Sequence, residues 1–157
     1  MRLTGFAILG LLFATCAGAA DTGGLSLKLN VFDRTVKDGS KIGIRVTTTN
    51  ESDHTITYHN TNYCNYSFKV LTHAGTPAPE TELEKMLDLN CGTKGGLETT
   101  GRDILVTLKP GESSSEDFGL AAFFDMSQPG EYSIQVERTF PGIGHYSSRV
   151  EYVTVTP

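Results

Sequence analysis

Apolar residues recur at every second position through most of this chain, and only one kind of backbone matches that period. Leu25, Leu27, Leu29 and Val31 alternate with Ser26, Lys28 and Asn30. Ile42, Ile44, Val46 and Thr48 form a second ladder, entered through Asp38-Gly39. Ile56 and Tyr58, then Tyr66, Phe68 and Val70, make a third and a fourth. Ile104, Val106 and Leu108 follow, then Phe118 and Leu120, then Tyr132, Ile134 and Val136, and last a run over about 149–155. Alternate side chains of a strand point to opposite faces, so each ladder predicts a strand with one buried face. Gly, Pro, Asn and Asp cluster between the ladders, as in Asn50-Glu-Ser-Asp53, Pro110-Gly111 and Pro129-Gly130, where turns need their backbone freedom.

Helical spacing is scarce. Glu80 to Leu87 follows Pro79 and places Leu83, Met86 and Leu87 three and four apart, which predicts one short helix. Ala121 to Phe124 predicts a single turn, and the Ser113-Ser-Ser115 triple reads as part of a hairpin turn. Residues 72–102 form a long excursion between two strands.

The first twenty residues have a different grammar. MRLTGFAILGLLFATCAGAA runs from one Arg through an apolar stretch to small residues, the order of a secretory signal peptide. Its apolar run is shorter than the roughly 20 residues a membrane-spanning helix needs. The expectation is a signal peptide over 1–20, with an exported chain, periplasmic or secreted, from about Asp21. The alternative is a lipid anchor on Cys16, which Phe13-Ala14-Thr15 fits poorly.

Removing residues 1–20 from the 157 leaves 137, enough for one domain with its own core. Losing Arg2 takes the basic side chains from 13 to 12 against 18 acidic ones, and no Lys/Arg cluster remains. That balance speaks against nucleic acid or an anionic membrane as partner. Cys64 and Cys91 then form an even pair in an oxidising compartment, which predicts a disulfide. Closing that 27-residue loop is worth about 3–4 kcal/mol in the loop-entropy model.

The stretch LKPGESSSEDFGLAAFFDMSQPGEYSIQVERT resembles a pattern of secreted bacterial immunoglobulin-like domains, in which a Pro-Gly-Glu turn leads to a strand, a short corner and a final hairpin. It is similar to the sandwich domain preceding deuterolysin-type metalloproteases, and distantly to the intracellular proteinase inhibitor family. The likeness covers about residues 41–71 and 103–138 and is structural. Together with the ladders it implies an all-β fold, a single immunoglobulin-like antiparallel β-sandwich of seven to nine strands with one short helix, over residues 21–157. No His-Glu-x-x-His occurs, so the protease chemistry of the deuterolysin proteins is not implied. Tyr132, just past Pro129-Gly130, stands where sandwich folds tie a corner to backbone through a tyrosine hydroxyl.

Residues with chemistry to offer are dispersed. His54, His59, His73 and His145 lack the spacing of a local metal edge. No Gly-x-Ser-x-Gly elbow surrounds a serine. Glu80, Glu82 and Glu84 read as a solvated helix start, where negative charge suits the helix dipole. Asp88 to Gly92 has a calcium-loop outline, but Thr99 stands where a closing Glu would be needed. Asn50-Glu-Ser52 and Asn65-Tyr-Ser67 match the glycosylation sequon. The expectation is therefore no enzyme, no cofactor and no metal.

Two surface segments suit a protein partner. The late hairpin Thr139 to Tyr146 places Phe140, Ile143, His145 and Tyr146 at a tip rich in Gly and Pro, where apolar side chains favour binding unless Phe140 and Tyr146 fold back over the sheet. The segment His59 to Tyr66 gathers Asn and Tyr, with Tyr63 beside Cys64. The functional expectation is an exported, non-catalytic module that binds an unidentified protein through loops at the sandwich ends. The alternatives are an envelope structural or accessory protein and a sandwich-type proteinase inhibitor.

Overall fold

The computed structural model describes residues 24–37, 42–60, 63–92 and 104–157, without the side chains of Tyr63 and of residues 89–92. The segment read as a signal peptide, Cys16 and the Asp38-Gly39 turn lie outside the described residues. Ten strands occur among those described: β1 (Leu25–Val31), β2 (Thr35–Lys37), β3 (Gly43–Asn50), β4 (Ile56–Asn60), β5 (Tyr66–Thr72), β6 (Ile104–Leu108), β7 (Ser113–Gly119), β8 (Gly130–Phe140), β9 (Gly144–Ser147) and β10 (Glu151–Thr156). One helix, α1 (Glu82–Gly92), and two 3-10 turns, Tyr63–Asn65 and Leu120–Ala122, complete them.

The strands form an all-β sandwich. One sheet has the order β1-β3-β7; the other runs β2-β10-β8-β5, with β9 also on β8; β4 and β6 pair separately. Every pairing is antiparallel except that of β2 with β10, which is parallel. The chain thus changes sheets after the first ladder, β1 joining one and β2 the other across the bend at Phe32 to Arg34. The strands β2 and β9 are the two that the apolar ladders do not announce. Both are short, and β2 carries a single apolar residue, Val36.

Period two places the core. On β1, Leu25, Leu27, Leu29 and Val31 are buried; on β8, Tyr132, Ile134, Val136, Arg138 and Phe140 are. Ile44 and Val46 on β3 meet Val153 and Val155 on β10 in one continuous cluster. Each such aliphatic side chain contributes about 1.5–3 kcal/mol relative to an exposed position. Tyr132 ties the corner as expected, its hydroxyl donating to the Gln128 carbonyl at 2.9 Å.

Three local expectations are corrected. The Ser113–Ser115 triple is strand rather than turn, because Ser113 and Ser115 stand on the outer face of β7 and pair with Thr49 and Thr47 hydroxyls at 2.8 and 2.9 Å. The turn itself closes earlier, at Gly111, whose φ of 79° belongs to the region glycine adopts without strain. Asn50, read as part of a polar turn and a sequon, is fully buried. Its amide donates to the His54 and Leu108 carbonyls, both at 2.8 Å, and its Oδ1 accepts from Ser52 N–H at 2.9 Å and Ser52 Oγ at 2.7 Å. The helix is also turned differently. Leu83 and Met86 are exposed while Glu84, read as solvated, is buried. Thr81 sets that orientation: its hydroxyl donates to Ala122 O at 2.7 Å and accepts from Glu84 N–H at 3.3 Å, so the first turn is pinned to the 3-10 turn following β7.

Candidate functional site

The late hairpin is where sequence and structure part most sharply. Phe140 and Tyr146 are core residues, 1% and 3% exposed, and not partner-binding side chains. The reason is register: Phe140 continues the inward set 132, 134, 136, 138 of β8, and Tyr146 pairs with Arg138 on the same face. Their rings meet edge to face at 5.6 Å, and Phe140 meets Tyr58 likewise at 4.9 Å. Gly142, at φ 78°, makes the turn between the strands. Ile143 is half-buried and packs on the core, its N–H bonded to Phe140 O at 2.9 Å. His145 is exposed, but on the outer sheet face, within 3.0 Å of the Thr139 hydroxyl and 3.4 Å of Glu137. Tyr63 lies in the first 3-10 turn, and its side chain is outside those described.

Beneath this hairpin the two sheets share a polar centre that no local motif signals. Arg138 on β8 is 1% exposed. Its Nη2 donates to Asn60 Oδ1 on β4 at 2.9 Å and its Nη1 to Thr48 Oγ1 on β3 at 3.2 Å, with Glu116 Oε1 on β7 at 3.5 Å. Glu116 Oε1 also accepts from Tyr66 OH at 2.7 Å and Asn60 Nδ2 at 2.9 Å. The guanidinium is flanked by aromatic rings, its centre 4.3 Å from Tyr66, 4.5 Å from Phe140 and 5.2 Å from Tyr58. Such contacts offset part of the cost of burying the charge. Burial pushes the Tyr66 hydroxyl well above its ordinary range; Arg138 opposes the shift and the bond to Glu116 reinforces it. Burial pushes Tyr58 up as well. This arrangement holds a positive charge and its partners fixed among five strands.

Beside it, a cleft of about 490 Å³ separates β5 from α1, walled by Cys64, Tyr66 and Phe68 on one side and Glu80, Glu84 and Asp88 on the other. The histidines stay apart. His54 is exposed beside Asp53 at 3.0 Å, His73 lies in the turn after β5, and His145 sits on β9, two strands away from β5 in the same sheet. Among the described residues no group of three or more His, Cys, Asp or Glu could hold a metal ion. No described helix is long and apolar enough to cross a membrane.

No family model and no curated protein matches this chain. Solved structures similar to it include the CARDB domain of a Pyrococcus furiosus protein, solved in complex with di-metal ions, at 12% identity and a TM-score of 0.41, covering 83% of this chain and 91% of that one. A Listeria innocua β-glucosidase in complex with glucose is similar at 16% identity and a TM-score of 0.43, over 85% of this chain but 16% of that one. The bacterial hydrophobin BslA is similar at 11% identity and a TM-score of 0.38, covering 88% and 99%. The sandwich assignment rests on the sheets themselves.

Proposed function

We propose that this chain is an exported, non-catalytic module that binds another protein through the excursion between β5 and β6. The observation that carries the reading is the exposure of Leu83 and Met86 on α1, 41% and 52%. Three positions apart on a helix, they share a face. Large apolar side chains held together in water favour a partner surface. The 3-10 turn bearing Tyr63 and Cys64 lies against the same helix, so the segment singled out by its Asn and Tyr content adjoins α1.

A disulfide between Cys64 and Cys91 belongs to this proposal, since the helix that carries Cys91 packs beside the turn that carries Cys64. It would hold the face rigid against the sheet, and it fits the export signal of residues 1–20. The non-catalytic part is supported by how the reactive groups are used. Ser113 and Ser115 are committed to a hydroxyl ladder, and the Arg138–Glu116 pair is locked between sheets.

The test is affinity capture from envelope and culture-supernatant fractions, comparing the wild-type chain with the Leu83→Ser, Met86→Ser variant. One dominant protein retained by the first and lost by the second, at equal melting temperature, is the expected result. Identical retention by both would overturn the reading.

A further inference from the structure

The ladder of β1 is complete on one side and open on the other. Phe32 N–H donates to Gly43 O at 3.0 Å, and Glu51 N–H to Gly24 O at 2.7 Å. These bonds bracket the register in which Leu25 faces Asn50 and Val31 faces Ile44. In an antiparallel pair, hydrogen-bonded positions alternate. The even-numbered residues of β1 therefore bond to β3, and Leu25, Leu27, Leu29 and Val31 direct their N–H and C=O groups to the opposite edge. Among the described residues no backbone bond is made there. A sheet edge of this length normally carries a device that blocks pairing, and Lys28 is the only charge on β1.

That edge opens onto a groove of about 420 Å³ between the two sheets, floored by Leu27 and Leu29 and bounded by Lys28, Glu51, Arg149 and Glu151. Glu151 is already neutralised by Arg34 at 2.6 Å. Lys28, Arg149 and Glu51 form no ion pair among the described residues. The uncompensated charge along the groove is two cations against one anion.

We infer that β1 is an acceptor edge for an extended, acidic segment of a partner protein, which adds as a fourth strand beside β1. Backbone bonds to Leu27 and Leu29 supply the pairing, as in strand addition generally. Residues opposite Leu27 and Leu29 share their inward face and take small apolar side chains into the groove. The residue opposite Lys28 faces outward and is acidic, the favourable cross-strand pair at that position. This site is independent of the α1 face, and either can fail without the other.

The probe is a heptapeptide alternating valine and glutamate, with its valine–lysine counterpart as control, added to the full uniformly ¹⁵N-labelled chain. In the free protein the Leu27 and Leu29 amides exchange with solvent quickly and the Lys28 amide slowly. Saturating valine–glutamate peptide slows Leu27 and Leu29 by about tenfold or more and leaves Lys28 nearly unchanged. The Lys28→Glu, Arg149→Glu variant, altered only at surface charges, binds that peptide about tenfold more weakly, and the Leu83→Ser, Met86→Ser variant binds it as well as wild type. Unchanged exchange at Leu27 and Leu29 in millimolar peptide would overturn the inference. Equal affinity for the valine–lysine peptide would do the same. Protection already present in the free protein and growing with its concentration would also overturn it, by assigning the edge to a second copy of the chain.

Discussion

The Arg138 guanidinium lies 4.3 Å from the centre of the Tyr66 ring, while the hydroxyl of that ring donates at 2.7 Å to Glu116, the carboxylate nearest Arg138. One tyrosine thus meets the cation with its face and the anion with its edge. Through them β5, β7 and β8 are locked at a single register, with Asn60 and Thr48 adding β4 and β3. Removing one member of a buried charged set leaves the others without compensation. Arg138→Ala is expected to lower stability by about 3 kcal/mol, the lower part of the range for broken buried pairs because Glu116 keeps some contact with water. Urea unfolding compared with the Arg138→Ala, Glu116→Gln double variant checks this; the double change should cost less than the sum of the two single ones.

Tyr66 and Tyr58 predict an alkaline weakness. Both hydroxyls titrate higher in the folded chain than their ordinary value of 10.0. Below about pH 10 both states keep these protons and the stability they represent is fully present. Above that the unfolded chain releases them first, so stability falls as pH rises toward the folded values, by up to about 1.4 kcal/mol per unit for each group. Urea midpoints from about pH 9 to about pH 11.5 should fall for wild type and less steeply for Tyr66→Phe.

Asn50 uses both amide hydrogens on backbone carbonyls, so its nearest isostere is the revealing replacement. Asn50→Asp sets a carboxylate against the His54 and Leu108 carbonyls and should cost about 3 kcal/mol at neutral pH. The loss should shrink as acid approaches the carboxylate range, near about pH 4, where protonation restores one donor. Thermal melts at the two pH values test both statements.

The hairpin separates core from surface residue by residue. Phe140→Ala is expected to cost about 3–5 kcal/mol by removing a ring packed on Tyr58 and Tyr146. His145→Ala, on the outer face, should stay within about 0.5 kcal/mol. Equal melting temperatures for the two variants would contradict the register of β8 and β9.

The inward position of Phe140 was legible in the chain. The set Tyr132, Ile134, Val136 continues by twos to Arg138 and Phe140, and following it past Val136 would have taken Phe140 out of the candidate surface. Two things obscured it: a charged residue interrupts the apolar ladder at Arg138, and Pro141-Gly142 suggests a loop already solvated at residue 140. Glu84 was not legible in the same way. Its burial depends on Thr81 reaching Ala122, a contact 41 residues away that swings the helix so that Leu83 and Met86 face water.

The acceptor edge divides along the same line. Leu25 to Val31 is recognisably a strand with its leucines inside, whereas which backbone groups remain open depends on pairing with β3 and on β2 crossing to the other sheet. The sequence by itself determined the class of fold, most of the strands and the inward face of each, because a period of two is a property of one strand and needs no neighbour. Only the tertiary structure decided which strands pair, where Arg138 finds Thr48, Asn60 and Glu116, and which edge stays open. Those contacts join residues 22 to 90 positions apart, and alternation carries no information about a partner that far along the chain.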